Sequence, residues 1–146
     1  MATLFARGAL AAGFLSAVAD RFGLWGPPGT AHVAWGAFDA FRDYTHHLAP
    51  YLPDSLVGPA AWVATVVEVV LGAALLLGIG PRWTAAASAA LLFVFAVSMF
   101  AYSGFETPFS ASVFSAAATA LLLMGAPGQA DVLSLNRALL RRKYTR

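Results

Sequence analysis

The sequence contains no cysteine, which excludes a disulfide scaffold and any mechanism run by a thiol pair. Charge is also scarce: 11% of residues are charged, against roughly 25% in an ordinary soluble domain. There is no phosphate-binding loop and no dinucleotide fingerprint. Its three histidines, His32, His46 and His47, all fall outside the apolar runs. Haem ligation within a span, and a serine triad there, are therefore excluded. What remains is apolar: 60% of 146 residues are hydrophobic. A soluble fold of this length could not hide so much apolar surface, so the natural solvent is lipid. The length fits one domain.

A helix needs about 20 mostly apolar residues to span a bilayer. Four stretches qualify: 2–19, 58–80, 83–103 and 108–125. In the first, Ala17 and Ala19 form an A-x-A arrangement after an apolar core, a signal-peptidase pattern; the segment is nevertheless read as a retained span. The fourth opens with Thr107 as N-cap and Pro108 at the first helical position. The expected fold is all-α, an integral membrane four-helix bundle over residues 1–130, followed by a basic tail at 131–146.

Orientation follows from Lys and Arg near the span ends. One side holds Arg7, Arg82 and five C-terminal bases, Arg137, Arg141, Arg142, Lys143 and Arg146. The other holds only Arg21 and Arg42, beside Asp20, Asp39, Asp43, Asp54 and Glu106. Both termini are thus expected in the cytoplasm, with Trp25, Trp62 and Tyr102 at the outer interface and Trp83 at the inner one. The basic tail reads as an anionic-lipid contact, not a nucleic-acid site.

The outer loop at 20–57 is long enough to have a structure of its own. "GPPG" at 26–29 enforces a turn. The following "AHVAWGAFDAFRDYTHHL", 31–48, places Trp35, Phe38, Phe41, Tyr44 and Leu48 at helical spacing, with Asp39, Arg42, Asp43, His46 and His47 on the other side. An amphipathic helix is expected, on the outer face of the bundle or in the headgroup layer. Asp39, Asp43 and His47 make a carboxylate–imidazole face, but no second cluster completes a metal site; a solvated polar face is expected and no metal.

Glu68 is the one charge inside "WVATVVEVVLGAALLLGIG", 62–80. An acid at mid-span costs about 2.5–3.5 kcal/mol on insertion scales, so it rarely faces lipid. Ala61, Thr65, Glu68 and Gly72 form a small, polar face; Val63, Val67, Val70 and Leu77 lie opposite. Matching small surfaces are expected from Ala85, Ser88 and Ala89, and from Ser112, Ser115 and Thr119. The partner of Glu68 is Arg7, Arg21 or a serine of span four. The carboxylate is either a structural pair or a proton-relay and ligand-binding group. Phe14, Phe93, Phe95 and Phe100 are lipid-facing or packing residues by default, and a quinone ring stacked among them near Glu68 is compatible with their spacing but not demanded by it.

Four segments, "RGALAAGFLSAVADRFGLWGPPG", "VAWGAFDAF", "EVVLGAALLLGIGPRW" and "SVFSAAATALLL", resemble the DoxX family of small bacterial four-helix membrane proteins. Arg21 stands where many relatives have lysine, and Glu68 with Gly72 matches the E-x-x-x-G-x-x-L-L-L-G arrangement. The resemblance implies a redox-associated subunit of the bacterial inner membrane, acting beside other redox proteins and linked to quinone. Similar thiol oxidoreductases need cysteine pairs, which are missing here, so any electron source is another protein.

Three readings follow. A redox-associated subunit binds quinone through Glu68, Arg21 and Thr65, with Glu68 as proton relay, or anchors a redox partner. A non-enzymatic scaffold docks a partner through Trp35, Phe38 and Phe41. A small-solute or proton carrier ranks last, because neither inverted repeats nor paired broken helices are legible. Homo-oligomerisation is compatible with the small-residue surface.

Overall fold

The computed structural model describes residues 1–126; the C-terminal bases and the rest of the tail lie outside the described residues. These residues form six helices and no strand: α1 (Ala2–Arg21), α2 (Phe38–Leu48), α3 (Asp54–Leu77), α4 (Pro81–Tyr102), α5 (Thr107–Ser110) and α6 (Val113–Gly125). Helices α1, α3 and α4, of 20, 24 and 22 residues, are each long and apolar enough to cross a membrane.

Two expectations need correction. Span four is not one helix: Ser112 sits in the left-handed region at φ 56° and divides it into the four-residue α5 and the 13-residue α6. At 1.5 Å per residue α6 reaches only about 20 Å, short of a full crossing on its own. The expected bundle of four continuous spans is therefore three long helices and one interrupted segment. Span two, in turn, starts four residues earlier than expected. Its first turn carries Asp54, an acid suited to a helix N-terminus, and Pro59 lies inside the helix, beyond its first turn.

The turn between α3 and α4 is as short as its sequence demands. Gly78 ends α3 in the left-handed conformation, the Ile79 amide donates to the Ala74 carbonyl at 3.0 Å, and Pro81 opens α4.

Helix α1 packs on α3, and α4 packs on α6. The core joins Leu10, Ala11 and Phe14 of α1 to Leu71 and Leu75 of α3, Ala85 and Ala89 of α4, and Ala120 and Leu123 of α6. Gly72 lets α1 approach: a Cβ there would stand 3.0 Å from Leu15 Cγ and 3.1 Å from its Cδ2. Small residues are the usual means of close helix contact in lipid. Ala61, Thr65, Glu68 and Gly72 are all buried, and Val63, Val67, Val70 and Leu77 are exposed, as their spacing predicts. Ala85, Ser88 and Ala89 are buried too. On α6 the expected face does not hold: Ser112 and Ser115 are exposed, and Val113, Ala117, Ala120 and Leu123 turn inward instead.

The exposed surface is largely apolar. Val63, Val66 and Val70 on α3, Phe93 and Val94 on α4 and Leu122 on α6 all face outward, a surface suited to lipid contact.

Two arginines tie α1 to α3. Arg7 is buried and donates from Nε to the Leu75 carbonyl at 2.9 Å and from Nη2 to the Leu76 carbonyl at 3.3 Å. These carbonyls belong to the last turn of α3, where helical acceptors lack partners and positive charge is favoured. Arg21, about four turns along on the same face of α1, reaches the middle of α3. Of the partners proposed for Glu68, Arg21 is the one that meets it.

Candidate functional site

Arg21 is the last residue of α1, and Glu68 lies in the second half of α3. Their side chains are buried to the same extent, with 2% of each exposed. Nη2 of Arg21 donates to both oxygens of Glu68, at 2.7 and 2.9 Å. Nη1 donates to Thr65 Oγ1 at 2.9 Å, and the Thr65 hydroxyl in turn donates to the Ala61 carbonyl at 2.8 Å. Thr65, predicted only from the face it shares with Glu68, thus completes one continuous chain of hydrogen bonds. Charge-assisted bonds of this kind are the strong ones.

The guanidinium is also covered by rings. Its Cζ stands 3.6 Å from the centroid of Phe41 and 5.3 Å from that of Trp35. In a dry setting a cation over an aromatic face contributes about 2 kcal/mol.

The outer segment is built to deliver those rings. Asp20, next to Arg21, is 5% exposed. Its Oδ2 accepts hydrogen bonds from the Ala34 and Trp35 amides, both at 3.0 Å. Gly36, at φ +68°, then turns the chain over the proline turn: a Cβ there would lie 2.5 Å from Pro28 N and 2.6 Å from Pro27 C. Only glycine fits. Helix α2 accordingly starts at Phe38, not at 31, because the preceding residues are held by Asp20 and bent at Gly36. Its apolar side faces the bundle, through Phe41 and the contact of Phe38 with Trp62. Asp39, Arg42, Asp43, His46 and His47 are exposed as expected, with Arg42 near Asp39 and Asp43 at 3.5 and 3.3 Å and His46 Nε2 3.5 Å from Asp54. Among the described residues, no group of three or more His, Asp or Glu side chains could hold a metal ion.

Phe41 is buried, and Trp35 and Phe38 are half-buried. Trp35 meets Phe41 edge-on at 5.2 Å, and Phe38 lies 4.4 Å from Trp62 and 6.0 Å from Phe22. The three aromatics therefore pack on the protein's own residues.

Beside the pair is a cavity of about 400 Å³, between α1, α4 and the α5–α6 segment. Arg21, Glu68 and Trp35 line one part of it, and the remainder is mainly apolar, with Phe14, Phe95 and Met99 among its walls. Of the four phenylalanines singled out by sequence, Phe14 and Phe95 border the cavity, whereas Phe93 and Phe100 are exposed. Nε of Arg21 has no acceptor within the protein. A buried donor without a partner is costly.

The family model described as methylamine utilisation protein MauE matches residues 1–110. The chain belongs to the MauE family. The match spans α1 to α5 and includes Arg21, Thr65, Glu68 and the Asp20-held segment. No curated protein and no solved structure matches the chain. Membership in MauE corrects the likeness to DoxX. The motifs behind that likeness, a basic residue ending span one and E-x-x-x-G in span two, encode a buried pair and a close α1–α3 contact. In this chain both serve the pairing of α1 with α3, a role that does not by itself mark one family.

Sequence reasoning missed two residues of this region. Asp20 was counted only as an outer acid, and Arg7 only as an inner base or a rival partner for Glu68. The available signal was their place in the outer turns of α1, where a charge on an apolar helix can reach backbone groups of a neighbouring segment.

Proposed function

We propose that this MauE-family protein is a multi-pass subunit of the bacterial inner membrane, with both termini cytoplasmic, that serves a redox step of methylamine utilisation by binding a quinone in the Arg21–Glu68 cavity. The observation that carries this reading is a buried, ring-covered ion pair set in the wall of an otherwise apolar cavity. Its volume falls within the roughly 300–1,000 Å³ usual for small-molecule sites. A quinone needs what this site offers: apolar walls for ring and tail, and a donor for a carbonyl. Arg21, in the cavity wall, supplies the donor, Phe14 and Phe95 flank the ring, and Glu68 is the group within the site able to take up or release a proton. Electrons come from a partner protein, since the chain has no thiol pair. The family description supports the methylamine context, and the charge asymmetry of the sequence supports the orientation.

The scaffold reading draws little from the structure, because Trp35, Phe38 and Phe41 are engaged within the protein. A carrier reading gains one broken segment at Ser112 but no counterpart break in a second repeat.

The test is thermal unfolding in detergent with a short-chain benzoquinone added. A ligand that binds only the folded state stabilises it by about 2.7 kcal/mol at one hundred times its Kd. We expect a saturable rise in Tm for the wild type and none for Gly13→Leu. Gly13 borders the cavity, and a Cβ there meets nothing within 4 Å, so leucine fills the space and leaves the ion pair in place. Equal rises in both proteins would exclude the cavity as the site.

A further inference from the structure

We propose that the Arg21–Glu68 cavity is loaded sideways from the bilayer and is sealed on its aqueous side, so that its ligand is a lipid-dissolved amphiphile, a polar acceptor head on an apolar tail, and not a water-soluble solute. This rests on the cavity being a ligand site, as proposed above, and adds the route and the class of molecule.

Two features support it. The first is the seal. At the charged end of the cavity Glu68 is 1% exposed, Arg21 2% and Phe41 6%. Trp35 is fixed over the guanidinium by the two amide bonds to Asp20, and the Gly36 turn locks the strap against the proline loop. Water has no open path to the pair from this side.

The second is the mouth. Among the residues that line the cavity, Ala9 and Gly13 of α1 and Ala111 between α5 and α6 are exposed. All three are small. Helix α1, at 20 residues, is about 30 Å long, which matches the hydrocarbon thickness. Gly13, twelfth in the helix, therefore sits close to the bilayer midplane, and an opening there faces acyl chains.

The absence of cysteine makes the test direct, since one introduced cysteine is a unique label site. We would attach a nitroxide to Gly13→Cys in proteoliposomes and compare its collisions with oxygen, which concentrates in lipid, and with a nickel chelate, which stays in water. Val67→Cys, exposed on α3, and Thr30→Cys, exposed in the outer loop, are the lipid and water references. The expected result is a Gly13 label that follows Val67, with nickel collisions at least five-fold below those at Thr30. Asp20→Ala, which frees the strap, is expected to raise nickel access at Gly13 at least two-fold. Nickel access at Gly13 equal to that at Thr30 would overturn lateral loading, and no change with Asp20→Ala would overturn the strap as the seal. Ala9→Cys serves as a second label site at the same mouth, with the same two outcomes. The readout needs no bound ligand. Failure of quinone binding with a lipid-exposed label would sink the quinone reading alone, and quinone binding with a water-exposed label would sink the route alone.

Discussion

Replacing Glu68 by leucine is expected to destabilise the protein by about 3–5 kcal/mol, because it strands a buried guanidinium. Arg21 would keep Thr65 Oγ1 and the rings of Phe41 and Trp35, but lose both of its anionic acceptors. Arg21→Met is expected to cost as much, leaving a carboxylate in an apolar wall. The double variant Arg21→Met with Glu68→Leu removes both charges and is expected to lie within about 1 kcal/mol of the wild type, since a buried pair often stabilises little beyond apolar residues of similar volume. Denaturant titration of the four proteins in mixed micelles reads all three values. Full additivity, with the double variant as unstable as the two single losses combined, would mean that Arg21 and Glu68 do not act as a unit. Arg21→Lys is not equivalent to the wild type, because one ammonium cannot serve Glu68, Thr65 and a ring together.

Gly36→Ala is expected to release the outer segment while leaving the long helices in place. A residue with a side chain costs roughly 1–2 kcal/mol in the left-handed region, and here its Cβ would also meet backbone atoms of Pro27 and Pro28 at 2.6 and 2.5 Å. Backbone cannot swing aside as a flexible side chain does, so the turn must open. Trp35 and the Asp20 bonds then lose their register. Far-UV circular dichroism is expected to stay within a tenth of the wild type, with proteolysis in the outer loop rising at least ten-fold. Gly29→Ala is the control: Gly29 has φ +85°, but a Cβ there meets nothing within 4 Å. It bears the conformational cost without the clash, so its loop is expected to be much less sensitive. Equal protection of Gly36→Ala and wild type would show that the close approach at Gly36 is not needed.

Much of the fold was legible because lipid imposes simple rules. Apolar runs of the right length mark spans, and the 3.6-residue repeat alone shows that Ala61, Thr65, Glu68 and Gly72 face inward while the valines face out. The pairing of Glu68 was legible only as a short choice among Arg7, Arg21 and serines. Deciding it required the tilt and depth of α1, which no local pattern encodes. The interruption at Ser112 escaped notice because serine is common in membrane helices, and a left-handed residue that is not glycine carries no sequence mark. The onset of α2 was placed seven residues too early for a different reason. Trp35 fits the helical repeat of Phe38, Phe41 and Tyr44, yet the Asp20 side chain claims the Ala34 and Trp35 amides, and the aromatic spacing holds without helix. The cavity itself is a property of three helices at once, and sequence reasoning reached only some of its wall.

Mass spectrometry of organic extracts from the gently purified protein tests the central claim most directly, with wild type, Gly13→Leu and Glu68→Gln prepared side by side. About one quinone per wild-type chain is expected, with at least a ten-fold loss in both variants and Gly13→Leu as stable as the wild type. Quinone absent from the wild type, or retained in full by Gly13→Leu, would contradict it.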